Sequence, residues 1–80
     1  MYIYKIEQDK VNGADAYDAA VVVATSKKAA RKIHPNSIHS DWGGELTDTW
    51  SDYRDVVATY VGVAGAKTEA GVVVASFNAG

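Results

Sequence analysis

The sequence predicts a single α+β domain spanning residues 1–80. Its core is a small four- to five-stranded sheet, ordered β-β-α-loop-β-β, with one short helix packed on one face. Three observations carry that expectation. Two short runs, Ala20-Val21-Val22-Val23-Ala24 and Val72-Val73-Val74-Ala75, are apolar at every position, which suits strands rather than an amphipathic helix. Asn12-Gly13 lies between two strand-like segments and is a strong hairpin signal. Helical spacing occurs only between Ser26 and Pro35.

The elements follow in order. Tyr2, Tyr4 and Ile6 alternate with Lys5 and Glu7, so residues 1–7 read as a strand with two unlike faces. Tyr17 to Thr25 is its expected antiparallel partner, and its all-apolar centre predicts burial on both sides. Thr25 or Ser26 caps a helix over 26–33, in which Ala29, Ala30 and Ile33 form the inward stripe. Pro35 disfavours helical geometry at His34 and stops it. Residues 35–54 are polar, and a loop that long predicts a short strand or helical turn inside it, near Thr47–Tyr53. Asp55 to Ala64 and Gly71 to Phe77 are the third and fourth strands.

One short helix covers one face of such a sheet. The other face needs cover from the tryptophan-bearing segment or from a second copy of the chain, and a homo-oligomer is expected.

Composition narrows the function classes. Eighty residues bury only roughly 60% of their unfolded surface, so the core is thin. With no cysteine, neither a disulfide nor a thiolate metal site staples it. No run approaches the ~20 apolar residues of a membrane span, and Met1-Tyr2-Ile3-Tyr4-Lys5 lacks the form of a signal peptide, so no membrane association is expected. A net charge of −2 predicts no general nucleic-acid binding.

Two charged groups stand out. Lys27, Lys28, Arg31 and Lys32 hold half of the eight Lys and Arg, and they repel one another at i,i+4 spacing. With Arg54 they are candidates for holding an anion such as a nucleotide phosphate. The alternative, and the favoured one, is a solvated helix face whose cations complement the helix dipole. The segment 41–55 carries five acids against the single Arg54, together with both tryptophans. Trp42, Trp50, Tyr53, Asp48 and Asp52 are candidates for contacting a partner protein, tryptophan and tyrosine being common anchors. Alternatively, at least one indole lids the thin core. The basic and acidic segments also suit each other as neighbours.

His34, His39 and Asp41 match no metal-binding spacing, and no metal or cofactor is expected. His34 reads instead as a helix C-terminal residue. No serine sits in a nucleophile elbow, and no phosphate-binding glycine loop is present, so no catalytic residue is assigned and no enzymatic activity is expected.

The stretch Tyr17-Asp18-Ala19-Ala20-Val21-Val22-Val23-Ala24-Thr25-Ser26, continuing through Ala30-Arg31-Lys32-Ile33-His34-Pro35, and the final Gly71-Val72-Val73-Val74-Ala75-Ser76-Phe77-Asn78-Ala79-Gly80 carry a resemblance. They resemble a group of very small bacteriophage accessory proteins that share a strand–helix–Ile-His-Pro unit, a tryptophan-bearing loop and an Ala-Ser-Phe-Asn-Ala-Gly terminus. In similar proteins the helix often has glutamates where this chain has Lys27 and Lys28. The resemblance implies an accessory protein of the infected bacterial cytoplasm, engaged in host takeover or anti-defence. It would act by occupying a host protein's surface. The alternatives are an oligomeric sponge for a nucleotide-derived signal and a small structural or assembly protein of the phage.

Overall fold

A computed structural model describes residues 1–8, 16–36, 42–47 and 49–78. It is a small α+β fold with elements β1 (Tyr2–Gln8), β2 (Ala16–Ala24), α1 (Lys27–Arg31), a 3-10 turn (Tyr53–Asp55), β3 (Val56–Val63) and β4 (Gly71–Asn78). The four strands form one antiparallel sheet in the order β3-β1-β2-β4. The expected Asn12-Gly13 turn lies outside the described residues.

Alternation in β1 sets the faces. Tyr4, Ile6 and Gln8 point to the core, and their partners are Val22 and Ala20 on β2 and Tyr60, Ala58 and Val56 on β3. Lys5 and Glu7 point the other way, beside Val21 and Ala19 on β2 and Thr59 and Val57 on β3.

The helix starts as expected, with Ser26 Oγ accepting from the Ala29 N–H at 3.1 Å. It ends earlier than the predicted 26–33. Lys32 N–H bonds to Ala29 O and Ile33 N–H to Ala30 O, so the last turn tightens to 3-10 geometry ahead of Pro35. The inward stripe survives: Ala30 is fully buried, while Ala29 and Ile33 pack against the core.

Within the long polar segment the helical turn lies at Tyr53–Asp55, at the segment's end. The segment doubles back through Thr47 N–H to Trp50 O (2.9 Å) and Tyr53 N–H to Gly44 O (2.8 Å). Gly44 has φ +99°, and a Cβ there would lie 2.5 Å from Tyr53 Cδ1, so the turn needs glycine for both backbone and space. The Tyr17 N–H reaches Thr49 O at 3.1 Å and pins the segment to β2. Buried Gln8 ties the same region together, donating to Tyr17 O and accepting from Ser51 Oγ.

The second face of the sheet departs from expectation. Trp50, 1% exposed, belongs to the same cluster as Tyr4, Ile6, Val22, Ala30, Val56 and Ala58. The tryptophan segment therefore covers the helix side, and α1 and Trp50 share one layer. β2 is buried at Val22 and Val23 but only half-buried at Val21, so its expected burial on both sides is incomplete. β4 is an edge strand, with Val73 64% and Val74 58% exposed. The physical reason is layer count: an 80-residue chain supplies one sheet and one covering layer.

Candidate functional site

The strongest concentration of shaped polar and aromatic chemistry lies at the end of the sheet where β2 begins and β4 finishes. Tyr17 and Phe77 face one another in the β2–β4 register, with ring centroids 5.0 Å apart in an edge-to-face arrangement. Tyr17 meets His34 edge-on at 6.2 Å, and His34 meets Trp42 edge-on at 5.3 Å. A row Phe77–Tyr17–His34–Trp42 results, running from the edge strand to the tryptophan segment. Such contacts favour fixed ring orientations. A register shift between Tyr17 and Ala19 helps aim Tyr17 at the core side.

Polar bonds fix the row further. His34 is buried, accepts the Asn36 N–H at Nδ1 (3.0 Å) and lies 2.9 Å from Thr47 Oγ1 through Nε2. Thr47 Oγ1 also accepts the Trp50 N–H at 3.2 Å. The Trp42 indole N–H donates to Glu45 O at 2.7 Å. Trp42 is thus held at both the nitrogen and the ring edge, with part of its ring in solvent. Phe77 is 47% exposed.

The candidate anion-binding residues separate into two groups. Lys27, Lys28 and Lys32 are exposed. Arg31 turns inward: Nε donates to Val56 O (3.0 Å), and one terminal nitrogen donates to Tyr53 O and Arg54 O (3.2 Å each). Its guanidinium clasps the 3-10 turn to the helix. Arg54 makes a two-pronged contact with Asp52, at 2.9 Å on each carboxylate oxygen, and Asp52 also accepts the Arg54 backbone N–H. These bonds hold the Asp52 carboxyl down at about 2 and raise Arg54 above its ordinary range. Lys32 Nζ lies 4.8 Å above the Tyr53 ring, a cation–π distance.

The basic helix and the acidic segment are therefore neighbours, as their charges suggested. The contact runs through backbone carbonyls and the Tyr53 ring. Among the described residues the ion pairs are Arg54–Asp52 and Lys5–Glu7, neither involving α1.

Of the partner-contact candidates, Trp42 and Tyr53 are half-buried at the surface, and Asp52 is committed to Arg54. Trp50 is inside the core and offers no surface to a partner. Asp48, and with it His39 and Asp41, lies outside the described residues. His34, three residues beyond the end of α1, is a buried, packed member of the aromatic row. No group of three or more metal-ligating side chains occurs among the described residues.

Sequence reasoning passed over Tyr17 and Phe77. The available signal was that Tyr17 opens and Phe77 lies near the end of the two all-apolar strands, and the sheet pairs those strands so that the two rings meet. Compared with protein-family models, curated proteins and solved structures, the chain matches none. Among the described residues no helix is long and apolar enough to cross a membrane.

Proposed function

We propose that this chain is a non-enzymatic binding protein of phage type that acts in the bacterial host cytoplasm by occupying the surface of a host protein, in host takeover or anti-defence. The supporting observation is the immobilised, half-exposed Trp42 at the end of an aromatic row whose other end, Phe77, is open to solvent. An aromatic ring fixed before binding loses little rotational freedom on contact, and such rings make good interface anchors. Tyr53, packed over Gly44 with Lys32 above it, adds a second fixed ring on the same segment.

The anion-sponge alternative has lost part of its support. Arg31 and Arg54 are spent on chain carbonyls and on Asp52, which leaves three lysines without a planar guanidinium fork.

The test is a pull-down from host lysate with wild-type protein and a Trp42→Ala/Phe77→Ala variant, alongside a thermal-shift screen of nucleotides. One host protein retained by the wild type and lost by the folded variant is the expected result. Equal retention by both removes the aromatic row from the mechanism. A nucleotide-dependent rise in melting temperature, with the ligand recovered intact, turns the assignment to the sponge.

A further inference from the structure

The sheet face opposite α1 carries a residue pattern that is largely complementary to itself. Two adjacent rows cross all four strands there. One reads Thr59–Lys5–Val21–Val74 and the next Val57–Glu7–Ala19–Ser76. Between them, on the core side, lies the row Ala58–Ile6–Ala20–Ala75. Val57 and Val74 are more than half exposed, and Lys5 and Glu7 lie 3.7 Å apart in solvent. A shallow hollow of about 150 Å³ opens beside Ala19, Val21, Val74 and Ser76.

We propose that this face pairs with the same face of a second copy, about a two-fold axis that crosses the strands at the level of Ile6. That operation exchanges the two rows. Lys5 then lies over Glu7 of the second copy, Val57 over Thr59, Val21 over Ala19 and Val74 over Ser76. Lys5 and Glu7 set opposite charges together, Val21 over Ala19 and Val74 over Ser76 set a bulky side chain against a small one, and Val57 meets the similarly sized Thr59; Val21 and Val74 of each copy enter the hollow beside Ala19 and Ser76 of the other. A two-fold interface must be self-complementary in this way. An axis running along β1 would instead stack Lys5 on Lys5 and Glu7 on Glu7, and the charges disfavour that arrangement.

With the axis at Ile6, about five residues each of β1 and β3 and about seven to nine of β2 and β4 face the second copy, which at a strand spacing of about 4.8 Å gives roughly 400 Å² per copy and on the order of 800 Å² in all, the size of a weak, concentration-dependent interface. The aromatic row belongs to the core side of the sheet, so the pairing leaves it exposed, and this inference does not depend on the proposed function.

Sedimentation equilibrium over a concentration series tests the pairing. Wild-type protein is expected at twice the 8.5 kDa chain mass. Lys5→Glu alone and Glu7→Lys alone should each weaken association at least tenfold. An equimolar mixture of the two should recover it, because one copy then presents only carboxylates and the other only ammonium groups along this line. Lys5→Glu/Glu7→Lys in a single chain should also associate. Circular dichroism identifies any variant that fails to fold, and the remaining single variant and the charge-swapped double variant then carry the test. A wild-type protein of one-chain mass at hundred-micromolar concentration overturns the proposal. So does association that is indifferent to both single substitutions, or a mixture and a double variant as weak as the single variants.

Discussion

Replacing Arg31 with alanine separates a structural arginine from a ligand-binding one. Its guanidinium makes three bonds to carbonyls of residues 53, 54 and 56, two of them partly shielded from solvent. Hydrogen bonds from a charged donor contribute about 1.5–3 kcal/mol each, and the exposed bond to Arg54 O counts for less. Ordering the long side chain offsets up to ~2 kcal/mol. A net loss of about 2–3 kcal/mol follows, a large part of the stability of a domain this size. With a urea m-value of about 1 kcal/mol/M, the unfolding midpoint should fall by about 2 M. Arg31→Lys keeps the charge but lacks the planar fork, so it should recover less than half of that loss. Urea unfolding followed by Trp50 fluorescence reads the transition, since that ring leaves the core on unfolding. If Arg31→Ala shifts stability by less than ~0.5 kcal/mol, the clasp has no energetic content and the residue returns to the pool of anion ligands.

Three further outcomes are expected. Gly44→Ala should destabilise by more than about 1 kcal/mol and perturb the aromatic signals of Tyr53, because φ +99° and the ring at 2.5 Å both oppose a Cβ; chemical denaturation and proton NMR check this. Ser26→Ala should cost about 1 kcal/mol in the same unfolding assay, through loss of the bond to the Ala29 N–H. Asp52 should titrate at about 2 by carboxyl NMR and move toward 3.8 in Arg54→Ala. Because its folded value lies below the unfolded one, the stabilisation from the pair is present above the unfolded value of 3.8 and is lost progressively as pH falls from there through about 2.

The strands were legible within a residue or two, since Val21–Val23 and Val72–Val74 favour no other element and alternation from Tyr2 to Glu7 fixed the faces. Ser26 and Pro35 bracketed the helix, but the switch to 3-10 bonds at Lys32 depends on how the chain descends to the buried His34. What covers each face was not legible, because nothing in local spacing tells Trp50 from Trp42. Trp50 turns inward where its backbone N–H is held by Thr47 Oγ1 and the neighbouring Thr49 O accepts from Tyr17 on β2. Arg31 illustrates the same limit: a basic helix looks like an anion site until the carbonyls that its guanidinium meets are known. The aromatic row joins residues 17, 34, 42 and 77 through the sheet register, which a reading along the chain does not contain.

The strand order β3-β1-β2-β4 has a consequence for how the molecule opens. The one pairing between sequence neighbours, β1 with β2, sits in the middle, while each distant pairing lies at a rim. Within one copy β4 rests on β2 alone, with Val73 and Val74 mostly exposed. Protection of backbone amides from exchange should therefore grade across the sheet, shallow at β4 and deepest in the central hairpin. Partial opening releases the Phe77 end of the aromatic row while the Trp42 end stays in place. The surface proposed for recognition thus has one soft end and one rigid end, set by strand order rather than by loop composition.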